Sequence, residues 1–267
     1  MLDYLCSFAP EVHFHAFILG STRLMVFAMV APFMGNTVLG RTARSAVVLA
    51  LYTVIHPTML GELAALSPSL LTSGFLIIKE ILIGFFIGWL AGMIFWAVES
   101  AGFFIDNQRG AGMASETDPL SGDQSSPTGS FLFQSTAYVF FASGSFLTFL
   151  GLVYGTYEVW PVTKFLPEAF FLNPESAFFF GGLVAKLAVN TVLLAAPVVL
   201  ACLLTDISLG LVNRFASQLN VYVLAMPIKS ALSSFLLIFY FAILMTDAPQ
   251  RFLAFNVDLA SLRVLMP

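Results

Sequence analysis

"LLTSGFLIIKEILIGFFIGWLAGMIFWAV" (residues 70–98) decides the structural class of this chain. The run is longer than the roughly 20 apolar residues that cross the hydrocarbon core of a bilayer. It shows none of the period-two alternation expected of a half-buried strand, so it reads as a helix. Two details complicate it. Lys79 and Glu80 interrupt the apolar run near its start, and Gly84, Gly88 and Gly92 recur every fourth residue.

Five further apolar regions resemble the first: residues 15–33, 45–66, 130–154, 177–204 and 230–245. The 267 residues are 59% hydrophobic and only 10% charged, with a mean hydropathy of +0.92. A soluble domain is typically about 45–50% apolar and about 25% charged, so this chain lacks the polar surface a soluble protein needs. The expectation is an all-α, multi-helix, integral membrane-type protein with about six hydrophobic regions.

Several regions are poor lipid-bathed rods. Arg23, Lys79, Glu80 and Lys186 lie within them. A charge at membrane depth costs about 2.5–3.5 kcal/mol on insertion scales and usually faces protein or water. His56-Pro57 is expected to bend or end the second helix. The charge-free stretch after Asp123 exceeds one span, and the Gly144–Ser145 pair, or Gly151 and Gly155, could mark a turn inside it. The helices are therefore expected to be bent and packed against other protein.

The start of the chain is acidic, the reverse of a basic leader, so insertion is expected to use internal segments. Arg41, Arg44, Arg109, Arg214 and Lys229 fall on one side of a six-span arrangement, and Asp3, Glu11, Glu62, Glu158, Glu168 and Glu175 on the other. Lys164, Arg251 and Arg263 are exceptions. The positive-inside rule then puts the polar segment around Arg109 in the cytoplasm and both termini outside.

Few residues suggest chemistry. A net charge of −4 and the lack of a basic run argue against a nucleic-acid surface. Cys6 and Cys202 read as separate buried thiols. His13, His15 and His56 show no metal-ligand spacing. "GAGMAS" (residues 110–115) lacks the Gly-Lys-Ser/Thr of a phosphate loop. No nucleophile–base pair or paired carboxylates stand out, so no catalysis, cofactor or metal is expected. A small-molecule transporter would show charges deep in several helices and matched broken segments in two repeats, and no such repeat is evident. The Gly84, Gly88, Gly92 row lets two helices approach closely, either across a subunit contact or within the chain.

The polar segment 106–129 is unusual in so apolar a chain. Asp118-Pro119-Leu120-Ser121-Gly122-Asp123 is strong turn chemistry. Pro119 and Pro127 forbid continuous helix, while Gly110, Gly112, Gly122 and Gly129 permit tight backbone approach. A segment this long is more often functional than connective, and irregular backbone near membrane depth is allowed where it lines water.

"DNQRGAGMASETDPLSGDQSSPTGSFLF" (residues 106–133) and "LGLVNRFASQLNVYVLAMPIKSALS" (residues 209–233) resemble the two best-marked regions of the FliR/YscT/SpaR export-apparatus family. The resemblance extends over essentially the whole chain, and the first motif is more similar to the injectisome branch than to the flagellar one. Ser217, where relatives often carry Pro, and Tyr222, where many carry Phe, depart from the pattern.

The resemblance implies a T-type subunit, one export-apparatus domain over residues 1–267, built of bent helical hairpins inside an export-gate assembly. It implies R-type, S-type, switch-type (U) and V-type partner subunits, and unfolded secreted proteins as cargo. The implied place is the bacterial inner membrane at the base of the needle, in a virulence-associated secretion system. Energy would come from the proton gradient and a separate ATPase. A pore or plug role would fall on Asp106, Asn107, Gln108, Arg109, Gly110, Gly112, Met113, Asp118, Pro119, Gly122 and Pro127. Within the polar segment 205–229, Arg214, Gln218, Asn220, Pro227 and Lys229 would pack against neighbouring subunits, or form an ordinary interhelical turn capped by Asn220 and Lys229.

Overall fold

A backbone surrounded by apolar groups has only its own helix to satisfy its N–H and C=O groups. The computed structural model follows that rule throughout. It describes residues 9–35, 38–64, 70–110, 126–165, 174–216, 218 and 220–261, and no strand occurs among them. The helices are α1 (Pro10–Val30), α2 (Arg41–Ala64), α3 (Leu70–Gln108), α4 (Pro127–Ala142), α5 (Ser145–Val159), α6 (Pro174–Phe215) and α7 (Val221–Ser261), with one 3₁₀ turn at Pro32–Met34.

Five of these are long and apolar enough to cross a membrane, and a sixth crossing results if the bent pair α4 and α5 counts as one. The protein is thus an all-α, membrane-type chain. At 1.5 Å per residue, α3, α6 and α7 are each about 60 Å long, roughly twice a hydrocarbon core.

Local signals explain most boundaries. Proline opens α1 and α4, where its missing N–H costs nothing. Ser126 caps α4 by accepting from the Gly129 amide at 2.9 Å. Gly144, at φ +73°, separates α4 from α5, as glycine at that position allows. Gly151 and Gly155 lie inside α5 instead.

Of the two outcomes expected at His56-Pro57, a bend or an end, the end does not occur. Pro57 does not end α2, which runs on to Ala64. The proline removes one backbone bond, but Tyr52, Ile55, Met59, Leu60 and Leu63 are buried on both sides of it. That packing outweighs the lost bond.

The chain divides into two compact units. The first comprises Met1–Met93, Phe146–Phe178 and Phe255–Pro267. Its core joins Leu19, Leu24 and Phe27 of α1 with Leu60 and Leu63 of α2, Leu76 of α3 and Val153 of α5. Gly84 and Gly88 lie against α1 of the same chain. A Cβ on Gly84 would fall 2.5 Å from the Arg23 carbonyl oxygen, and one on Gly88 would fall 2.8 Å from the Val30 Cβ. The close approach offered by the glycine row is therefore used internally at both positions, and Gly92 is buried beyond them.

Three of the four charges that interrupt the apolar runs, Arg23, Lys79 and Glu80, meet in this unit; Lys186 belongs to the second unit and is exposed. Arg23 and Glu80 have no exposed side-chain surface, and Lys79 has 4%. Arg23 Nε and Nη2 donate to the two oxygens of Glu80 at 2.6 and 3.0 Å. Lys79 Nζ stands 2.7 Å from Glu80 Oε1. The remaining donors grip α5 and the turn after it. Arg23 reaches Thr156 Oγ1 at 3.0 Å and the Trp160 carbonyl at 2.8 Å. Lys79 donates to the carbonyls of Pro161, Val162 and Lys164 at 2.9–3.0 Å. The Arg23 guanidinium also lies 4.0 Å from the Tyr157 ring centroid.

The second unit comprises Ile94–Ser145 and Phe179–Ala254. Ala101, Ile105, Leu132, Leu194, Ala195, Val198, Val199, Cys202 and Leu244 form its core. Phe95, Phe140 and Phe252 stack at its side, the closest pair with centroids 4.9 Å apart.

Two tests follow from this packing. Glu80→Gln leaves two buried cations without their anion, and breaking a buried pair from one side costs about 3–5 kcal/mol. Thermal unfolding in detergent should show a strongly lowered midpoint; a native midpoint would mean the network carries no stability. Gly84→Leu forces α1 and α3 apart and should cost about 1–3 kcal/mol by overpacking, read in the same assay.

Candidate functional site

The polar segment begins later and ends earlier than its composition indicates. Asp106, Asn107 and Gln108 form the last turn of α3, and Pro127 is the first residue of α4. Their polarity belongs to helix ends. Gly112, Met113, Asp118, Pro119 and Gly122 lie outside the described residues.

The two ends are joined through one carboxylate. Asp106, only 3% exposed, accepts at Oδ2 from Ser126 Oγ at 2.6 Å and from the Thr128 amide at 3.0 Å. Arg109, in the turn just past the end of α3, places Nη2 at 2.7 Å from Asp106 Oδ1. The same Nη2 donates to Thr128 Oγ1 at 3.2 Å. The Arg109 contact with Oδ1 is off the hydrogen-bond direction, so it is coulombic, and Oδ1 and Arg109 Nε receive no hydrogen-bond partner.

Below the carboxylate the two backbones touch: a Cβ on Gly102 would fall 2.5 Å from the Gly129 Cα. Ser126 and Thr128 were legible as a helix start, since Ser before Pro is an N-cap signature. Their bond to Asp106 was not.

Gly110 leaves α3 in the left-handed region, at φ +81°. A Cβ there would meet Met226 Cγ at 3.4 Å. Met226 belongs to the second marked stretch, so the fold brings the two stretches side by side.

That second stretch is a hairpin turn. α6 ends at Phe215 with Arg214 in its last turn, and α7 starts at Val221. Arg214, Gln218 and Asn220 are exposed. Pro227 lies inside α7. Lys229 is no cap: it sits within α7 and pairs with Asp206 of α6, 3.0 Å away, tying the hairpin together. The surrounding faces are bare and apolar. Leu204, Ile207, Phe215 and Val223 are each at least 60% exposed.

The arrangement joins the ends of α3 and α4 through Asp106, beside an uncovered apolar hairpin. The chain is 38% identical over 232 residues to Yop proteins translocation protein T of Yersinia pestis, covering 86% of this chain and 87% of that protein. It is 30% identical over 236 residues to the surface presentation of antigens protein SpaR of Salmonella typhimurium, covering 87% and 85%. To the flagellar biosynthetic protein FliR of Caulobacter vibrioides it is 23% identical over 231 residues, covering 86% and 90%. Residues 14–254 match the family described as bacterial export proteins, family 1, and the chain belongs to that family.

Proposed function

We propose that this chain is the T-type subunit of the export gate in a bacterial type III secretion system. It is a non-catalytic component of the inner membrane at the base of the needle complex. There it stands beside R-type and S-type subunits, with U-type and V-type subunits as further partners, and helps enclose and plug the passage for unfolded proteins. One observation carries this reading: the near end-to-end similarity to Yop proteins translocation protein T at 38% identity. Flagellar relatives align either less fully or less closely, at 32% over 160 residues and at 23% over 231, which favours the injectisome branch.

Physical features support a life inside an assembly. Only 11% of the most apolar window of α7 is buried within the chain, leaving Phe235, Ile238, Phe239 and Ile243 for lipid or sister subunits. Helices about twice as long as a hydrocarbon core has use for also fit a complex standing partly outside the bilayer. Arg214, Gln218 and Asn220, exposed on the α6–α7 turn, are positioned for a neighbouring chain.

Segment 106–129 supplies the plug, with Met113 sealing a narrow apolar gap, a task its flexible thioether suits. Deleting residues 110–114 should leave co-purification with the R-type and S-type subunits intact and raise the resting permeability of the membrane to small ions. An assembled deletion with a native ion barrier would reject the plug role. Solubilised from its native membrane, the chain should bring the R-type and S-type subunits with it; recovery as a lone monomer would reject the gate itself.

A further inference from the structure

We propose that Arg44 anchors an anionic phospholipid, whose headgroup phosphate is received by the Arg44 guanidinium and the first turn of α2. The inference stands apart from the gate reading and needs only that the chain lies in a membrane.

The observation behind it is a buried charge without a counterion. Three cations are buried among the described residues: Arg23, Lys79 and Arg44. Arg23 and Lys79 share the carboxylate of Glu80. Arg44 is only 5% exposed, yet among the described residues no acceptor and no carboxylate meets its side chain, and its Nε is enclosed without a hydrogen-bond partner. A buried cation left alone is among the most unfavourable arrangements a protein can hold. The chain supplies no anion here, so the anion comes from outside it.

The place of Arg44 selects the kind of anion. α2 has 24 residues, about 36 Å at 1.5 Å per residue, close to the roughly 30 Å hydrocarbon core it is apolar enough to cross. Its first turn, which holds Arg41 and Arg44, therefore falls at the level of the headgroups. The Arg44 amide bonds the Gly40 carbonyl at 3.0 Å, and the amides of Arg41, Thr42 and Ala43 precede that first intrahelical bond at the positive end of the helix. Such an end favours phosphate oxygens. A long helical side chain leans toward the N-terminus of its helix, which carries the guanidinium toward the same turn. Arg41 and Thr42 are exposed beside it, and a guanidinium pairs with a phosphate through two parallel bonds.

The acyl chains have a path as well. Ala46, Leu49, Ala50 and Val54 are exposed and follow one another along α2 away from that turn. A headgroup held at Arg44 can thus lay its tails along a bare apolar strip. The positive-inside reading, with Arg41 and Arg44 on the cytoplasmic side, points the same way, because basic pockets there meet anionic headgroups.

The test takes the full-length chain, with the subunits that accompany it, into detergent and washes away loosely held lipid. Phosphatidylglycerol should remain bound to the native chain and be lost from Arg44→Met. The unfolding midpoint should stand several degrees higher in phosphatidylglycerol bilayers than in phosphatidylcholine, as for a ligand of the folded state, and Arg44→Met should lose that difference. In lipid-free detergent Arg44→Met should match or exceed the native midpoint, because it removes an uncompensated charge. An arginine with a merely structural role would give a lower midpoint there, and that result would overturn the proposal. Should Arg44→Met not be recovered folded, Arg41→Gln decides, since its side chain is exposed; an undiminished phosphatidylglycerol gain in it would overturn the site. Inorganic phosphate in detergent should produce no comparable rise, and an equal rise would overturn the lipid as the source of the phosphate. Equal midpoints in the two bilayers with no phospholipid retained would also overturn the proposal, in favour of a carboxylate from a neighbouring subunit.

Discussion

Glu80 is a carboxylate with no exposed surface, held between two cations, and the first unit is organised around that fact. A charge in so apolar an interior is tolerated only when every lone pair and every donor around it is engaged. Glu80 engages Arg23 of α1 and its own neighbour Lys79. Their spare donors go to the Thr156 hydroxyl of α5 and to four carbonyls of the turn after it. Three helices and a turn are thereby fixed relative to one another. Apolar side chains could not specify this, because lipid is as apolar as leucine and does not discriminate among helix faces.

The sequence displayed the ingredients of this core but not its pairings. Arg23 and the Lys79–Glu80 pair stood out as charges inside apolar runs, and the inference that they face protein holds. Arg23 and Glu80 lie 57 residues apart, and no spacing rule connects positions so distant. The same applies to the histidines. His13 and His56 carried no spacing that would link them, yet His13 Nδ1 lies 3.1 Å from His56 Nε2, whose ring also meets the Tyr52 hydroxyl at 2.6 Å. The helical class and the apolar regions were legible because each rests on local composition, whereas the glycines offered two places for the break and the fold takes the one at Gly144. That Pro57 would not end α2 was not legible, for the converse reason. A local rule saw the missing amide and could not weigh the burial on both flanks.

The polar stretch shows the same limit in reverse. Composition marks residues 106–129 as one loop, because aspartate, asparagine and glutamine look like solvent-facing residues. In the fold, Asp106 is among the most buried polar groups of the second unit, since a helix end and a helix start both need acceptors and donors away from water. Polarity in such a chain marks places where the backbone runs out of its own partners. Solvent is only one of several solutions.

Glycine and charge thus divide the labour that hydrophobicity performs in a soluble protein. Gly84 and Gly88 let α1 and α3 come within backbone contact, and Gly102 with Gly129 does the same for α3 and α4. Each close crossing stands beside a polar tie, Arg23–Glu80 in one unit and Asp106–Ser126 in the other. Small residues supply proximity, which dispersion alone rewards weakly and without direction. The ion pair or shared carboxylate supplies direction. Neither a glycine nor a charged residue occurs in α7 from Phe235 to Ile243, its most exposed stretch. The outward face of that stretch, Phe235, Ile238, Phe239 and Ile243, is left for lipid or neighbouring protein to cover.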